Sequence, residues 1–325
     1  MKEEDIRPRG ILDTFLDLAN QDIPRFFTSQ DREEIPCPAC GGAGSPAFTK
    51  QGFGYEECAA CRTLFVSPRP SAAEFQDYYQ HSESAAYWAS TFYRETSEAR
   101  REKLWKPKAR QVQEVLVGMG CAEAAVVDIG GGYGIFAEEY RLLTGREVTV
   151  IEPSRLLAGA CREKHLHVVE EFLEKVRDSQ LPEGKRAFVS FELFEHLHDP
   201  RVFCRQVFGL MKPGDTFLFT TLSGTGLDIR ELWENSAAVS PPHHLNFFNP
   251  RSIRRFLEDV GFRVHSVTTP GKLDLDILRN NLARVRDPFW RLFLEEGRAA
   301  DFAAMQNVLS QSLFSSHMMT VCVHP

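Results

Sequence analysis

From residue 124 onward, short apolar runs alternate with stretches in which apolar residues recur every three or four positions. The runs at 124–129, 147–151, 166–169, 186–191 and 215–221 read as strands, and 134–143, 154–164 and 199–211 as helices. The stretch 171–178 also reads as helical. Pro213-Gly214 marks a turn just before a strand. Farther on, 251–260 predicts a helix stopped by Gly261, followed by a strand over 262–268. A mainly helical region over 272–315 and a closing strand over 318–323 complete the pattern. Such alternation predicts an α/β fold, a parallel sheet with helices on both faces.

Before residue 124 the pattern differs. Ile11, Leu12, Phe15, Leu16 and Leu18 are spaced for one face of a packing or capping helix over 11–19. Residues 35–70 are dominated by Pro, Gly and Cys. Ser71 and Glu74 stand at capping-box spacing, and 71–117 then reads as largely helical, with Pro107 suited to the first turn of its last helix. Four segments follow: a helical segment at 1–34, a Cys-rich unit at 35–70, a helical cap at 71–120, and an α/β domain at 121–325 with a helical insertion around 271–315.

Composition narrows the function. The chain has 325 residues, is 43% apolar and carries a net charge of -7, so it can bury a large core and lacks the basic face that nucleic acid requires. No run approaches the roughly 18 apolar residues of a membrane span. The N-terminal MKEEDIRPRG has no apolar signal core, which predicts a cytoplasmic location. In a reducing compartment the eight cysteines read as metal ligands or buried thiols.

Four of them form two CxxC pairs, Cys37/Cys40 and Cys58/Cys61, separated by 17 residues. This spacing predicts a closed four-thiolate zinc site of structural role, which supplies folding energy to a segment with little core. A redox CxxC is the competing reading. Cys121, Cys161, Cys204 and Cys322 are isolated in apolar surroundings and read as packing residues.

The sharpest chemical signal is Val126 to Gly134, an apolar run ending in Asp128 and then Gly130, Gly132 and Gly134. A second run, Val148 to Ile151, ends in Glu152. Together they read as the first β-α-β unit of a nucleotide-type cofactor site, with Glu152 placed for ribose hydroxyls. Gly132-x-Gly134-x-x-Ala137 formally fits a dinucleotide fingerprint. An acid preceding the glycines opposes a pyrophosphate but suits a ligand with a sulfonium and an amino group. An NAD(P)-dependent oxidoreductase or epimerase and a non-catalytic zinc-ribbon binding protein are the alternatives. The first lacks a Tyr-x-x-x-Lys pair, and the intact glycines and Glu152 weigh against the second.

The chain resembles the class I S-adenosylmethionine-dependent methyltransferases through VVDIGGGYG (126–134), VIEPS (150–154), SFELFEHLHDP (190–200), LMKPGDTFLFTT (210–221) and PHHLNFFNPRSIRRFLEDVGF (242–262). With the two CxxC pairs and LFVSPRP (64–70), it is similar to the subgroup carrying an N-terminal zinc ribbon. That subgroup includes sugar C-methyltransferases and enzymes of polysaccharide and secondary-metabolite pathways. The resemblance implies a Rossmann-like seven-stranded methyltransferase sheet with an N-terminal zinc ribbon and helical cap. It also implies S-adenosylmethionine as cofactor and a small-molecule methyl acceptor such as a nucleotide-linked sugar; the oligomeric state stays open.

Under this resemblance Gly130, Gly132 and Gly134 line the methionine and ribose, and Asp128 lies near the amino group. Glu152 takes the ribose, and Pro153 flanks the adenine with Glu171 or Phe172. Phe191 and Glu192 border the methyl group. His196 and His244 match the subgroup's catalytic histidines. The acid-histidine pair of that family is His243-His244 here, and Pro241 replaces a tyrosine, so O-methylation with one histidine base stays open beside C-methylation. Tyr78, Tyr79 and Tyr87 are the candidates for a substrate-contacting phenol. The basic residues of 94–110 and 251–255 read as solvated helix faces.

Overall fold

The computed structural model describes residues 2–29 and 31–325. Its strands are β1 (Gly44–Lys50), β2 (Phe53–Cys58), β3 (Leu64–Val66), β4 (Ala125–Ile129), β5 (Val148–Ile151), β6 (His167–Val169), β7 (Arg186–Phe191), β8 (Thr216–Leu222), β9 (Asn246–Phe247), β10 (Arg263–Thr268) and β11 (His317–Val323). Seven form one sheet in the order β10-β11-β8-β7-β4-β5-β6. Only β11 runs against its neighbours, antiparallel to both β10 and β8. The central strands β4, β7 and β8 are buried nearly throughout, which matches their continuous apolar runs. Two apolar clusters fill the two faces, one around Phe188, Phe217 and Phe219 and one around Val126, Tyr140 and Leu218.

The Cys-rich unit does not stand alone. Its sheet runs β1-β2-β3-β9, and β9 belongs to the loop that follows His244. Arg69, fully buried, fastens the same junction. It donates to the His198 and Leu245 carbonyls and to Asn246 Oδ1.

The first helix extends over Arg9–Phe26, longer than its apolar spacing indicates, and of its five periodic apolar residues only Phe15 is fully buried. Ser71 caps the helix Ala72–His81 with the anticipated box. From Glu83 to Gly118 the backbone stays helical but widens into two π segments, Trp88–Phe92 and Arg101–Trp105. The stretch 171–178 is not a helix. It forms two single turns, Leu173–Lys175 and Asp178–Gln180, because one turn suffices to bury Leu173 and Val176. The insertion holds the helices Asp274–Asn280, Pro288–Glu296 and Ala299–Gln311 around a small core of their own. No helix among the described residues is long and apolar enough to cross a membrane.

Candidate active site

At the carboxyl end of β4 the chain turns through the glycines into the helix Ile135–Thr144. Gly132 has φ +57°, and a Cβ there would lie 3.0 Å from the Tyr93 hydroxyl. Gly134 has φ +72°, and its Cβ would meet Cys161 Sγ and Leu166 Cδ1 at 2.8 Å. Only glycine satisfies both demands. Glu152, at the tip of β5, accepts from the Gly132 and Ser154 backbone N–H groups, each at 2.9 Å. Burial raises its pKa to about 7, against the pull of those two N–H groups. Asp128 is buried, and burial with the nearby Glu152 carboxylate raises it to about 8.

A cavity of about 30 Å³ opens against this turn, lined by Tyr93, Trp105, Asp128, Tyr133, Phe136 and Phe191 among others. That is room for about one water. Tyr93, stacked on Tyr133 at 5.8 Å, and Trp105 form part of its wall, and the cavity as it stands is smaller than a nucleoside. Among the described residues, two of the six buried side-chain polar atoms without a protein partner belong to residues of this lining, Asp128 Oδ2 and Trp105 Nε1, and a third, Arg100 Nε, lies behind the wall formed by Tyr93 and Trp105. The Arg100 guanidinium sits among the rings of Phe92, Tyr93 and Trp105 at 5.6–5.9 Å and, among the described residues, meets no carboxylate. Sequence spacing placed this arginine on a solvated face. The π segments and the aromatic residues on either side of it turn it inward instead. Pro153, Glu171 and Phe172 lie exposed on the rim beyond Glu152 and do not line this cavity.

A second cluster lies beyond β7 and β8. His196 closes the turn Phe194–His196, and its ring stands 4.7 Å from His244 and 6.2 Å from His243. His243 Nε2 meets the Tyr78 hydroxyl at 2.9 Å, and its ring packs 5.0 Å from Phe15, so the first helix walls this chamber. His244 Nδ1 donates to the Ala238 carbonyl at 2.5 Å, which leaves Nε2 as its lone-pair nitrogen. Tyr79 points its hydroxyl at His196 Nδ1, 3.5 Å away, while Tyr87 makes no side-chain hydrogen bond to the cluster among the described residues. Glu195 joins from below and accepts from Thr221 Oγ1 at 2.8 Å. Ligand atoms of Glu195, His196 and His244 lie within 4.8 Å of one another, close enough to share a cation. Burial, with the neighbouring histidines, holds His243 at about 3 and His196 well below the usual range, and burial holds His244 at about 4. All three are neutral at physiological pH.

Cys37, Cys40, Cys58 and Cys61 converge with their sulfurs within 4.8 Å of one another, and the pairs Cys37/Cys61 and Cys40/Cys58 lie at 3.5 Å. A zinc ion bound at ~2.3 Å spaces tetrahedral sulfurs by ~3.8 Å, so the cluster fits zinc after a small expansion.

The strand order, with one antiparallel strand inserted beside the end of the sheet and a glycine turn after the first parallel strand, defines a class I methyltransferase fold. The chain belongs to the family described as "Methyltransferase domain", whose model matches residues 91–267. Ubiquinone biosynthesis O-methyltransferases of Xanthomonas campestris pv. campestris are 32% identical over 110 residues, covering 31% of this chain. The chain thus spans less than half, 44%, of the length of these curated relatives. Among solved structures, the plantazolicin methyltransferase in complex with a triazolic analog and SAH is 15% identical, covering 77% of this chain and 93% of that one at a TM-score of 0.49. The magnesium protoporphyrin IX methyltransferase of Synechocystis with bound SAM is 12% identical, covering 74% and 94% at a TM-score of 0.44.

Proposed function

We propose that this protein transfers a methyl group from S-adenosylmethionine to a small polar acceptor. The observation that carries the reading is the set of unpartnered atoms over the glycine turn. Trp105 and Asp128 line one cavity with an unpartnered donor, Trp105 Nε1, and an unpartnered acceptor, Asp128 Oδ2, and a second unpartnered donor, Arg100 Nε, belongs to the guanidinium packed behind the wall residues Tyr93 and Trp105. Buried polar groups are almost always paired. Two donors and an acid together complement a zwitterion, the free amino-acid end of that cofactor: carboxylate to Arg100 and Trp105, ammonium to Asp128. Gly130, Gly132 and Gly134 let the backbone approach it, Glu152 takes the ribose hydroxyls, and Pro153, Glu171 and Phe172 frame the adenine on the rim. Phe191 borders the methyl group.

When bound, the cofactor supplies an electrophilic methyl on a positively charged sulfur. The protein's task is then alignment and proton removal. His196, His243 and His244, with Tyr78 and Tyr79, line the acceptor chamber and receive the acceptor's hydroxyl hydrogen bonds. These contacts hold the acceptor's oxygen in line with the methyl group. We propose oxygen as the acceptor atom, in keeping with relatives named O-methyltransferases, and a nucleotide-linked sugar as the first acceptor to test. The four cysteines hold a structural zinc ion, and through β9 the ribbon they staple positions His244.

Calorimetry with S-adenosylhomocysteine tests the cofactor. Heat at micromolar ligand is expected, and none with folded protein overturns the reading. Labelled-methyl transfer to nucleotide-sugars and a small-molecule extract, with the new bond identified, then tests the acceptor.

A further inference from the structure

The chamber histidines are held far below the usual imidazole range, so they accept hydrogen bonds well and hold a proton poorly. A different imidazole is oriented by a carboxylate. Glu192 follows directly on β7, and His317 is the first residue of β11. Nε2 of His317 donates to Glu192 Oε1 at 3.0 Å, and the same oxygen accepts from Thr220 Oγ1 at 2.7 Å. Because an ionised carboxylate only accepts, Nε2 carries the hydrogen and Nδ1 carries the lone pair. Among the described residues Nδ1 has no side-chain or backbone partner.

We propose that Glu192 and His317 form the acid-histidine dyad of this methyltransferase, with His317 as the general base that keeps the acceptor's proton and Glu192 as the residue that orients it. The proposal rests on the methyl-transfer reading and names the group that completes its chemistry.

Position supports the assignment. Glu192 is the neighbour of Phe191, which lines the cofactor cavity, and begins the segment that ends at His196. About a third of each side chain is open, 34% for Glu192 and 31% for His317, so a ligand can reach the pair. Backbone conformation agrees. Glu192 has φ +53°, a left-handed conformation that strains a non-glycine residue and collects at functional positions. Burial opposes its charge, but His317, Lys108 and Thr220 together hold it well below the usual carboxylate range, so it stays anionic. Next to His317, the Ser316 N–H donates to buried Asp274 at 2.7 Å, which anchors the start of β11 to the insertion. The dyad is drawn from the residue that follows one strand and the first residue of another.

In the step, His317 Nδ1 takes the hydroxyl proton while the oxygen lone pair bonds to the methyl carbon. The carbon–sulfur bonding pair stays on sulfur, which becomes a neutral thioether. Glu192 stabilises the imidazolium until its proton passes to water.

The test uses the full chain with its zinc and follows labelled-methyl transfer into the small-molecule extract. His317→Ala is expected to lower the turnover rate by about 100-fold or more while S-adenosylhomocysteine affinity stays within about twofold. Added imidazole restores part of the rate to His317→Ala but not to the wild type. His317→Gln, which keeps the hydrogen bond to Glu192 and the fold, loses turnover similarly, and Glu192→Gln loses less. Wild-type turnover in His317→Gln, or a loss in His317→Ala that imidazole does not repair, overturns the dyad and leaves methyl transfer standing. A wild type that binds no S-adenosylhomocysteine overturns the methyltransferase reading, and the dyad with it.

Discussion

The carboxylate of Glu152 accepts the Gly132 N–H at 2.9 Å, tying the tip of β5 to the middle of the glycine turn. In the cofactor site proposed above, one acid then fixes the backbone of the glycine turn and offers its remaining lone pairs to the ribose. Glu152→Ala removes both. We expect S-adenosylhomocysteine affinity to fall about 10- to 100-fold, the range for losing hydrogen bonds to a charged group. Isothermal calorimetry reads this directly, and unchanged affinity rejects the assignment.

Arg100 is a buried cation with no carboxylate partner among the described residues. Removing such a charge relieves the unliganded fold, whereas removing a ligand contact weakens binding. Arg100→Met is therefore expected to keep or raise the unliganded melting temperature and to cost about tenfold or more in cofactor affinity. A variant that binds S-adenosylhomocysteine as tightly as the wild type removes Arg100 from the site. Hydrogen exchange across 88–105 should slow on binding in the wild type, because Tyr93 and Trp105 close the cavity.

The buried acids give the unliganded protein a signed pH response. Asp128 at about 8, Glu152 at about 7 and Glu195 at about 8 are all raised by burial above their values of 3.8 and 4.5 in the unfolded chain. The native state therefore binds the extra protons, and stability falls as pH rises through this interval. Asp228, pushed up by burial and Asp274, acts in the same sense. His196, His243 and His244 are lowered, so their contribution rises with pH, but only up to their ordinary value of 6.5. From about pH 6.5 to 8 the acids act unopposed by these histidines, and the melting temperature should drop. Asp128→Asn should flatten part of that slope. Thermal scans at several pH values decide it, and stability rising over the interval contradicts the assignment.

Stripping the four-cysteine cluster should act at a distance. β3 pairs with β9, and the Tyr55 hydroxyl donates to the His244 carbonyl at 2.9 Å, so the ribbon holds the histidine chamber. The purified protein is expected to carry about one zinc per chain. Cys40→Ser should lower zinc content and the melting temperature and abolish methyl transfer, with S-adenosylhomocysteine affinity changed by no more than about threefold. Metal analysis beside calorimetry separates these effects. A zinc-free variant with full transfer activity sinks the positioning role.

The sequence by itself determined the features that depend on near neighbours. Apolar periodicity marked every strand of the large sheet, because an element's buried side is written in its own residues. Glycine spacing marked the turn after β4, and paired CxxC turns marked four thiols that do meet. Where a local rule had too little to work on, at 171–178, the reading failed: two buried anchors do not distinguish a helix from single turns. Tertiary structure alone decided what distant segments do together. Arg100 faces inward because two π segments turn it among aromatic rings, which charge spacing does not reveal. His243 meets Tyr78 across 165 residues, and His317 meets Glu192 across 125. Such partners are chosen by where strands end in the sheet, and a long-range contact leaves no periodic trace in either segment that makes it.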